Sequence, residues 1–91
     1  MPKLAVYKAL VFFLYAYDLS ERMHVHISNT KSRKGKSAKI WLDTLEVFET
    51  GSLTPKEINT ALNLLKQHGP EIAANITAFA TGEKVNVLQL G

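Results

Sequence analysis

Residues 45–58, LEVFETGSLTPKEI, contain the change from strand to helix that decides the fold. The short apolar stretch from Leu45 to Glu49 predicts a strand, and Thr50-Gly51 is a typical end for one. Thr54 and Glu57 have the spacing of a capping box, in which each side chain accepts a hydrogen bond from the other residue's backbone N–H. The segment therefore predicts strands on its N-terminal side and helices on its C-terminal side.

The residues before this segment alternate with a period of two, as strand residues do. Both faces of the second predicted strand are apolar or aromatic, which indicates a central strand covered on both sides. Together with Leu45–Glu49, these strands predict an N-terminal β-meander. The four earlier strands are predicted over Leu4–Tyr7, Leu10–Tyr17, Arg22–Ser28 and Ala38–Asp43. A tight turn at Lys8-Ala9 connects the first two.

The residues after the segment repeat with the helical period, beginning with Pro55 at the first helical position. Gly69 and Pro70 predict the end of a first helix, because glycine favours a left-handed stop and proline cannot continue the helix. His68 is then expected to interact with the negative end of that helix dipole. A second helix is predicted from Pro70 to Gly82, with Asn75 on its solvated face.

The tail from Lys84 to Leu90 has β character. It either adds an edge strand to the sheet or lies against a partner chain. The predicted fold class is α+β, with an antiparallel sheet of five or six strands and two C-terminal helices packed on one face. Residues 1–91 are expected to form a single domain.

The composition excludes several classes of protein. The chain has 91 residues, a formal charge of +3 and no cysteine, which excludes a disulfide framework, a thiolate zinc site and a cysteine nucleophile. Its longest apolar run, Ala9 to Ala16, is shorter than the roughly 20 residues that span a bilayer. We therefore expect a cytoplasmic protein with no membrane segment and no secretory leader. No cofactor motif is present, and no cofactor is predicted.

The charge is concentrated in one part of the chain. Six basic residues and no acidic residue lie between Arg22 and Lys39, whereas the rest of the chain has a net charge of −3. This asymmetry predicts an anionic partner. The alternative is a solvated loop that keeps the protein soluble. The six basic residues are Arg22, Lys31, Arg33, Lys34, Lys36 and Lys39.

Two histidines are the candidate chemical groups. His24 and His26 are two residues apart on a predicted strand, so both side chains project from one face, about 6.5–7 Å apart. Such a pair can supply two metal ligands, an acid and a base for phosphodiester chemistry, or an anion contact, and it can also be structural. A metal site needs a third ligand, and the spacing selects none, so no metal is assigned. The candidates for that ligand are Asp18, Asp43 and His68.

Aromatic residues accompany the basic stretch. Tyr15 and Tyr17 share one face of the second strand, and alternation directs Trp41 outward from the fourth. Aromatic rings beside basic residues can stack on unpaired bases, as in sheet-based RNA readers. The alternative is that these rings belong to the core.

At His24-Val25-His26 and at Ala38–Leu42 the chain resembles a family of small bacterial proteins, domain of unknown function 4160. Members have an acidic-Pro-Pro-His-hydrophobic-His-Val stretch, then a strand of the type Ala-Lys-hydrophobic-Trp-Leu, a glycine turn and two helices. Here Glu21 and both histidines match, whereas Arg22 and Met23 replace the two prolines. The resemblance covers about residues 1–80. It implies a gene context like that of toxin–antitoxin pairs and gives no chemistry.

The sequence predicts a binding module whose basic loop, Asn29 to Lys39, contacts nucleic acid or another polyanion such as an acidic protein. One alternative is an interaction partner of a small neighbouring protein. A second is a small ribonuclease in which His24 and His26 exchange protons while Arg22 and Lys39 stabilise phosphorane charge. The predicted anion-binding residues are Arg22, Lys31, Arg33, Lys34, Lys36, Lys39 and Trp41.

Overall fold

A computed structural model describes residues 3–15, 19–31 and 35–90 of the chain. Its elements are β1 (Lys3–Tyr7), β2 (Leu10–Phe13), β3 (His24–Asn29), β4 (Ala38–Trp41), β5 (Val47–Glu49), α1 (Pro55–Ala80) and β6 (Leu88–Gln89). In the described part of the chain the six strands form one sheet, in the order β5-β4-β3-β2-β1-β6, with α1 against one face. The α+β class and the N-terminal meander are confirmed.

The sheet has β2 at its centre, as predicted. Neighbouring strands from β1 to β5 pair antiparallel, and all four residues of β2 are buried. The strand ends at Phe13 rather than at the predicted Tyr17, which lies outside the described residues. Leu10 and Phe12 belong to the core beneath α1, whereas Phe13 packs against His26 on the opposite face, here called the outer face.

The connection between β4 and β5 shortens two predicted strands. Strands were expected over Ala38–Asp43 and Leu45–Glu49, but β4 ends at Trp41 and β5 begins at Val47. Leu45 takes a left-handed conformation with φ of 62° and donates its backbone N–H to the Trp41 carbonyl, 2.8 Å away. A tight turn therefore takes residues that would otherwise have extended both strands.

The prediction of two helices is wrong, because within the described residues α1 runs unbroken from Pro55 to Ala80. Pro70 lies inside it and Gly69 is not left-handed. Glycine before proline removes the clash between a Cβ and the proline ring that normally opposes helical geometry. Leu65, Ile72 and Ile76 stay in phase on one buried stripe. Burying each of the two isoleucines contributes about 1.5–3 kcal/mol, which offsets the roughly 3 kcal/mol cost of an internal proline.

Two of the predicted helix signals are confirmed. Thr54 caps the N-terminus: its Oγ1 accepts from the Glu57 N–H at 3.2 Å, and Glu57 Oε1 accepts from the Thr54 N–H at 2.8 Å. At the C-terminus Gly82 takes φ of 77°. Its N–H donates to Phe79 and the next N–H donates to Ala78, which is a Schellman motif. The predicted helix end at Gly69-Pro70 is wrong, whereas the ends that α1 does have were both predicted.

Several polar side chains of the helix have other roles than predicted. His68 does not lie at a helix end; its Nδ1 is 3.4 Å from the Glu71 carboxylate within the helix. Asn75, expected on the solvated face, is half-buried and donates to the carbonyls of Leu4 (3.0 Å) and Asn86 (2.9 Å). Asn75 therefore ties α1 to β1 and to the tail.

The tail contributes an edge strand, and its direction corrects the expectation of a fully antiparallel sheet. Leu88 and Gln89 pair parallel with Ala5 and Val6 of β1. The 26-residue helix carries the chain from β5, at one edge of the sheet, to the other edge, and such a connection permits parallel pairing. Within the described residues, α1 included, no helix combines the length and apolar character needed to cross a membrane.

Candidate functional site

Two of the predicted anion-binding residues, Arg22 and Lys39, are ion-paired. Arg22 donates through Nε and Nη2 to the Asp43 carboxylate at 2.8 and 2.7 Å, and Lys39 Nζ lies 2.8 Å from Glu21 Oε2. The hydrogen bond from Arg22 lowers the pKa of the Asp43 carboxyl, so that group is ionised at neutral pH. Both cations also lie 4.8 Å from the centroid of the Trp41 ring. Acidic residues from outside the basic stretch thus balance two of its six charges.

The outer face carries a row of aromatic rings. Trp41 points outward as predicted, while its neighbour Ile40 is fully buried in the core. The rings of Trp41 and Phe48 are 5.4 Å apart, and the Phe48 side chain on β5 is 57% exposed. At the other end of the row, the ring centroids of Tyr15 and Phe13 are 5.4 Å apart. The paired cations over Trp41 cover part of this surface, which leaves Phe48 as its most accessible ring.

The two histidines lie inside this row. His24 is 1% exposed, and its Nδ1 donates to the backbone carbonyl of Arg22 at 2.7 Å. The His24 ring centroid is 5.1 Å from that of His26 and 5.5 Å from that of Trp41. His26 is partly exposed and stacks on Phe13. A phosphate cannot reach His24 in this conformation, so the role of His24 is structural. His26 is the more accessible histidine of the pair.

The candidate third metal ligands do not join the histidines. Asp43 is held by Arg22, and His68 lies on α1 beside Glu71. Asp18 lies outside the described residues. Among residues 3–15, 19–31 and 35–90, no group of three or more histidine, aspartate or glutamate side chains is arranged to hold a metal ion.

The basic loop is attached to the fold at both ends. At its start, the Thr30 N–H donates to the Ala9 carbonyl of the β1–β2 turn at 2.8 Å. At its end, Lys36 and Ser52 exchange two hydrogen bonds of 2.9 Å: the Lys36 N–H donates to the Ser52 hydroxyl, and the Ser52 N–H donates to the Lys36 carbonyl. The described ends of the loop therefore lie beside the β1–β2 turn and beside the segment that leads into α1. The cations Arg33 and Lys34 stand between these attachments in sequence and lie outside the described residues.

Beside the loop is a groove of about 400 Å³ that we call the lysine groove. The exposed side chains of Lys8, Lys31 and Lys56 line it. They come from the β1–β2 turn, the basic loop and the first turn of α1. The remaining lining is Tyr7, Ala9, Leu10, Asn29, Glu57 and Thr60.

Glu57 is the one acidic residue of this groove, and its carboxylate is already bound. One oxygen accepts from the Thr54 N–H at 2.8 Å, and the other accepts from the side-chain amide of Asn29. The backbone hydrogen bond from Thr54 is the main cause that lowers the pKa of Glu57. The groove lining therefore combines three lysines with one ionised carboxylate that already accepts two hydrogen bonds.

An apolar groove lies on another side of the molecule. It has a volume of about 490 Å³ and is lined by Leu65 and Pro70 of α1 together with Leu42, Leu45 and Met23. None of the described anion-binding candidates lines it, and its apolar character is unsuited to phosphate.

The structure thus divides the predicted site. Lys31 and Lys36 lie at the loop end of strands β3 and β4, whereas Trp41 lies at their opposite end, because it pairs with the first residue of β3. Arg22 lies next to Trp41. Sequence reasoning missed Lys8 and Lys56, which are far from the basic stretch in sequence. A local sequence signal for them does not exist, since only the topology brings their elements to the loop.

Comparison with known proteins gives a family and no function. The model of a family described as a domain of unknown function (DUF4160) matches residues 10–75. The matched region runs from β2 into α1 and includes both histidines, the basic loop and Trp41. No curated protein and no solved structure matches the chain.

Proposed function

This chain belongs to the DUF4160 family, and we propose that it is a nucleic-acid-binding module whose basic loop contacts the phosphates of the strand. The observation that carries the proposal is the attachment of the loop at Ala9 and Ser52. These hydrogen bonds hold the described ends of the loop, and Lys31 lines one groove together with Lys8 and Lys56, which belong to other elements. Cations gathered from several elements on one surface bind a polyanion more strongly than the same cations spread along a mobile segment.

The exposed aromatic rings favour nucleic acid over an acidic protein as the ligand. The exposed Phe48 ring and the partly exposed Trp41 ring on the outer face offer stacking surfaces that an acidic peptide does not need. An RNA ligand is also in keeping with the gene context, like that of toxin–antitoxin pairs, that the family resemblance implies. We therefore take single-stranded RNA as the first ligand to test.

The test measures binding of a fluorescent RNA about 12 nucleotides long by anisotropy over a series of salt concentrations. Replacing Arg33, Lys34 and Lys36 together with glutamine should make the slope of log K against log salt less steep by about 2, since each lost phosphate contact to a single strand contributes about 0.7. The control replaces Lys3, Lys66 and Lys84 with glutamine, which changes the net charge equally at positions outside the loop and the groove.

A second variant tests the role given to the ion pairs. Because Arg22 and Lys39 are paired with carboxylates, replacing both with glutamine should change the slope by less than about 0.5. Unchanged binding by the loop variant would refute the proposal. Equal binding of an unstructured polyglutamate peptide would identify an acidic protein as the partner instead.

The same mixtures test the ribonuclease alternative. Because His24 is 1% exposed and its Nδ1 is engaged with a backbone carbonyl, we expect the RNA to stay full length on a denaturing gel. Cleavage that disappears in a His26→Gln variant would favour the enzyme over the binding module.

A further inference from the structure

We propose that the lysine groove binds the terminal phosphate monoester of a single-stranded nucleic acid. This inference rests on the proposed function, because it states which part of the bound strand enters the groove. The groove lies directly beside the basic loop and shares Lys31 with it. A strand whose end is held in the groove therefore meets Lys31, the first cation of the basic loop.

The charge of the groove matches a monoester better than an internal phosphate. Lys8, Lys31 and Lys56 provide three positive charges, and Glu57 provides one negative charge whose oxygens already accept hydrogen bonds from Thr54 and Asn29. The balance of +2 suits a phosphate monoester, which carries about −1.5 to −2 at neutral pH. An internal phosphodiester carries a single negative charge and would leave the groove with an excess of positive charge.

The conformation of Lys8 is a second, independent observation. Lys8 has φ of 52° and is the first residue of the two-residue turn between Tyr7 and Leu10. A turn of this kind prefers glycine at that position, because a residue with a Cβ is strained there. A lysine that stands where glycine would be more favourable indicates that its side chain has a use, and Lys8 lines the groove with its ammonium group 5.4 Å from the centroid of the Tyr7 ring.

The size and lining of the groove fit one nucleotide. Its volume of about 400 Å³ lies within the usual range for small-ligand sites, about 300–1,000 Å³. Tyr7, Ala9 and Leu10 also line the groove and add apolar residues to the three lysines. A base can use this surface only when it is unpaired, which favours the end of a single strand over the end of a duplex.

The experiment compares RNAs of one sequence that carry a 5′-phosphate, a 3′-phosphate or no terminal phosphate. Two or more charge-assisted hydrogen bonds to a monoester should strengthen binding about tenfold or more for one of the phosphorylated ends. The variant Lys8→Gly with Lys56→Gln should reduce this preference to about twofold or less. Its fold is expected to persist, because glycine relieves the strain at position 8 and Lys56 is exposed. The control, Lys3→Gln with Lys66→Gln, should keep the preference.

The outcomes separate this inference from the proposed function. Salt-sensitive binding that is equal for all three RNAs would overturn the groove assignment and leave the proposed function standing. A terminal-phosphate preference that survives in the Lys8 and Lys56 variant would also overturn it. A titration of the ¹⁵N-labelled protein with a nucleoside monophosphate gives a direct reading: the amides of residues 8–10, 29–31 and 56–57 should shift. Their failure to shift would refute the inference whether or not RNA binds.

Discussion

Replacing Gly51 with alanine should destabilise the protein much more than replacing Gly82 with alanine, although both glycines have left-handed backbone. The φ angles are 56° at Gly51 and 77° at Gly82. A Cβ added at Gly51 would lie 2.4 Å from the Lys36 carbonyl oxygen and 2.5 Å from that of Ser37. A Cβ added at Gly82 would meet no atom within 4 Å. The pair of variants therefore separates the cost of the backbone angle from the cost of the close approach.

The expected magnitudes follow from these contacts. An alanine in the left-handed region costs about 1–2 kcal/mol, and this is the whole effect at Gly82. At Gly51 the backbone at Lys36 must also move away, which breaks its two hydrogen bonds with Ser52, each worth about 0.5–1.5 kcal/mol. Gly51→Ala should thus cost about 3 kcal/mol or more, against a total stability of about 5–14 kcal/mol for a chain of this length.

Urea unfolding, followed by the fluorescence of Trp41 and by circular dichroism, gives both free energies from one experiment. The slope against urea should be the same for the two variants, because the surface exposed on unfolding is nearly the same. Since Gly51 supports the end of the basic loop, Gly51→Ala should also weaken RNA binding, whereas Gly82→Ala should not. If the two variants differed in stability by less than about 0.5 kcal/mol, the steric part of the reasoning would be wrong.

Two further predictions concern the helix. Asn75→Ala should lower the free energy of unfolding by about 1–3 kcal/mol, because two hydrogen bonds to backbone carbonyls are lost. The control Asn63→Ala makes the same change of helix propensity at an exposed position and should lower it by less than about 0.5 kcal/mol. Thermal unfolding of both variants would show the difference, and equal losses of stability would contradict the hydrogen-bonding role of Asn75. Glu57 has a pKa lowered in the folded state, mainly by the Thr54 N–H, so it contributes stability above its ordinary pKa of 4.5 and loses it as pH falls through the lowered value. The stability difference between the parent and Glu57→Gln should therefore be constant above about pH 6 and shrink below pH 4.5, and a difference that grows on acidification would contradict this sign.

The features that the sequence predicted correctly depend on residues close together along the chain. The capping box needs only Thr54 and Glu57, three residues apart, and the C-terminal stop needs only Gly82 with its neighbours. The strand alternation that directs Trp41 outward and Ile40 inward is equally local. Such signals are complete within a few residues, and the tertiary structure had no reason to override them.

The failure at Pro70 shows how packing overrides a local signal. Gly69-Pro70 is a strong helix stop when judged by the two residues alone. The apolar residues Ile72 and Ile76, however, continue the stripe of Leu65 without a change of phase, so an unbroken helix buries all three against the same sheet. The sequence contained both the helix-stop signal and the continuous apolar stripe. Only the shape of the sheet determines whether burying the stripe outweighs the free-energy cost of the internal proline.

The site required the topology for a similar reason. A count along the chain assigned six cations to one patch, whereas the fold pairs Arg22 with Asp43 and Lys39 with Glu21 at the outer face. Exposed pairs of this kind contribute little to stability, but they reduce the local positive potential. The acidic partners lie just outside the basic stretch in sequence, where a count of charges treats them as part of a separate region.

The fold places two lysines from outside the basic stretch beside Lys31, whereas Arg22 and Lys39 are ion-paired. Lys8 and Lys56 line the same groove as Lys31, although they are 48 positions apart in sequence. Among the described residues, three lysines from three elements therefore line one groove, in which Glu57 is the one acidic lining residue. Because phosphate binding depends on the electrostatic potential at one place and not on the order of charges along the chain, the anionic ligand stays a prediction, with Lys8 and Lys56 in place of Arg22 and Lys39.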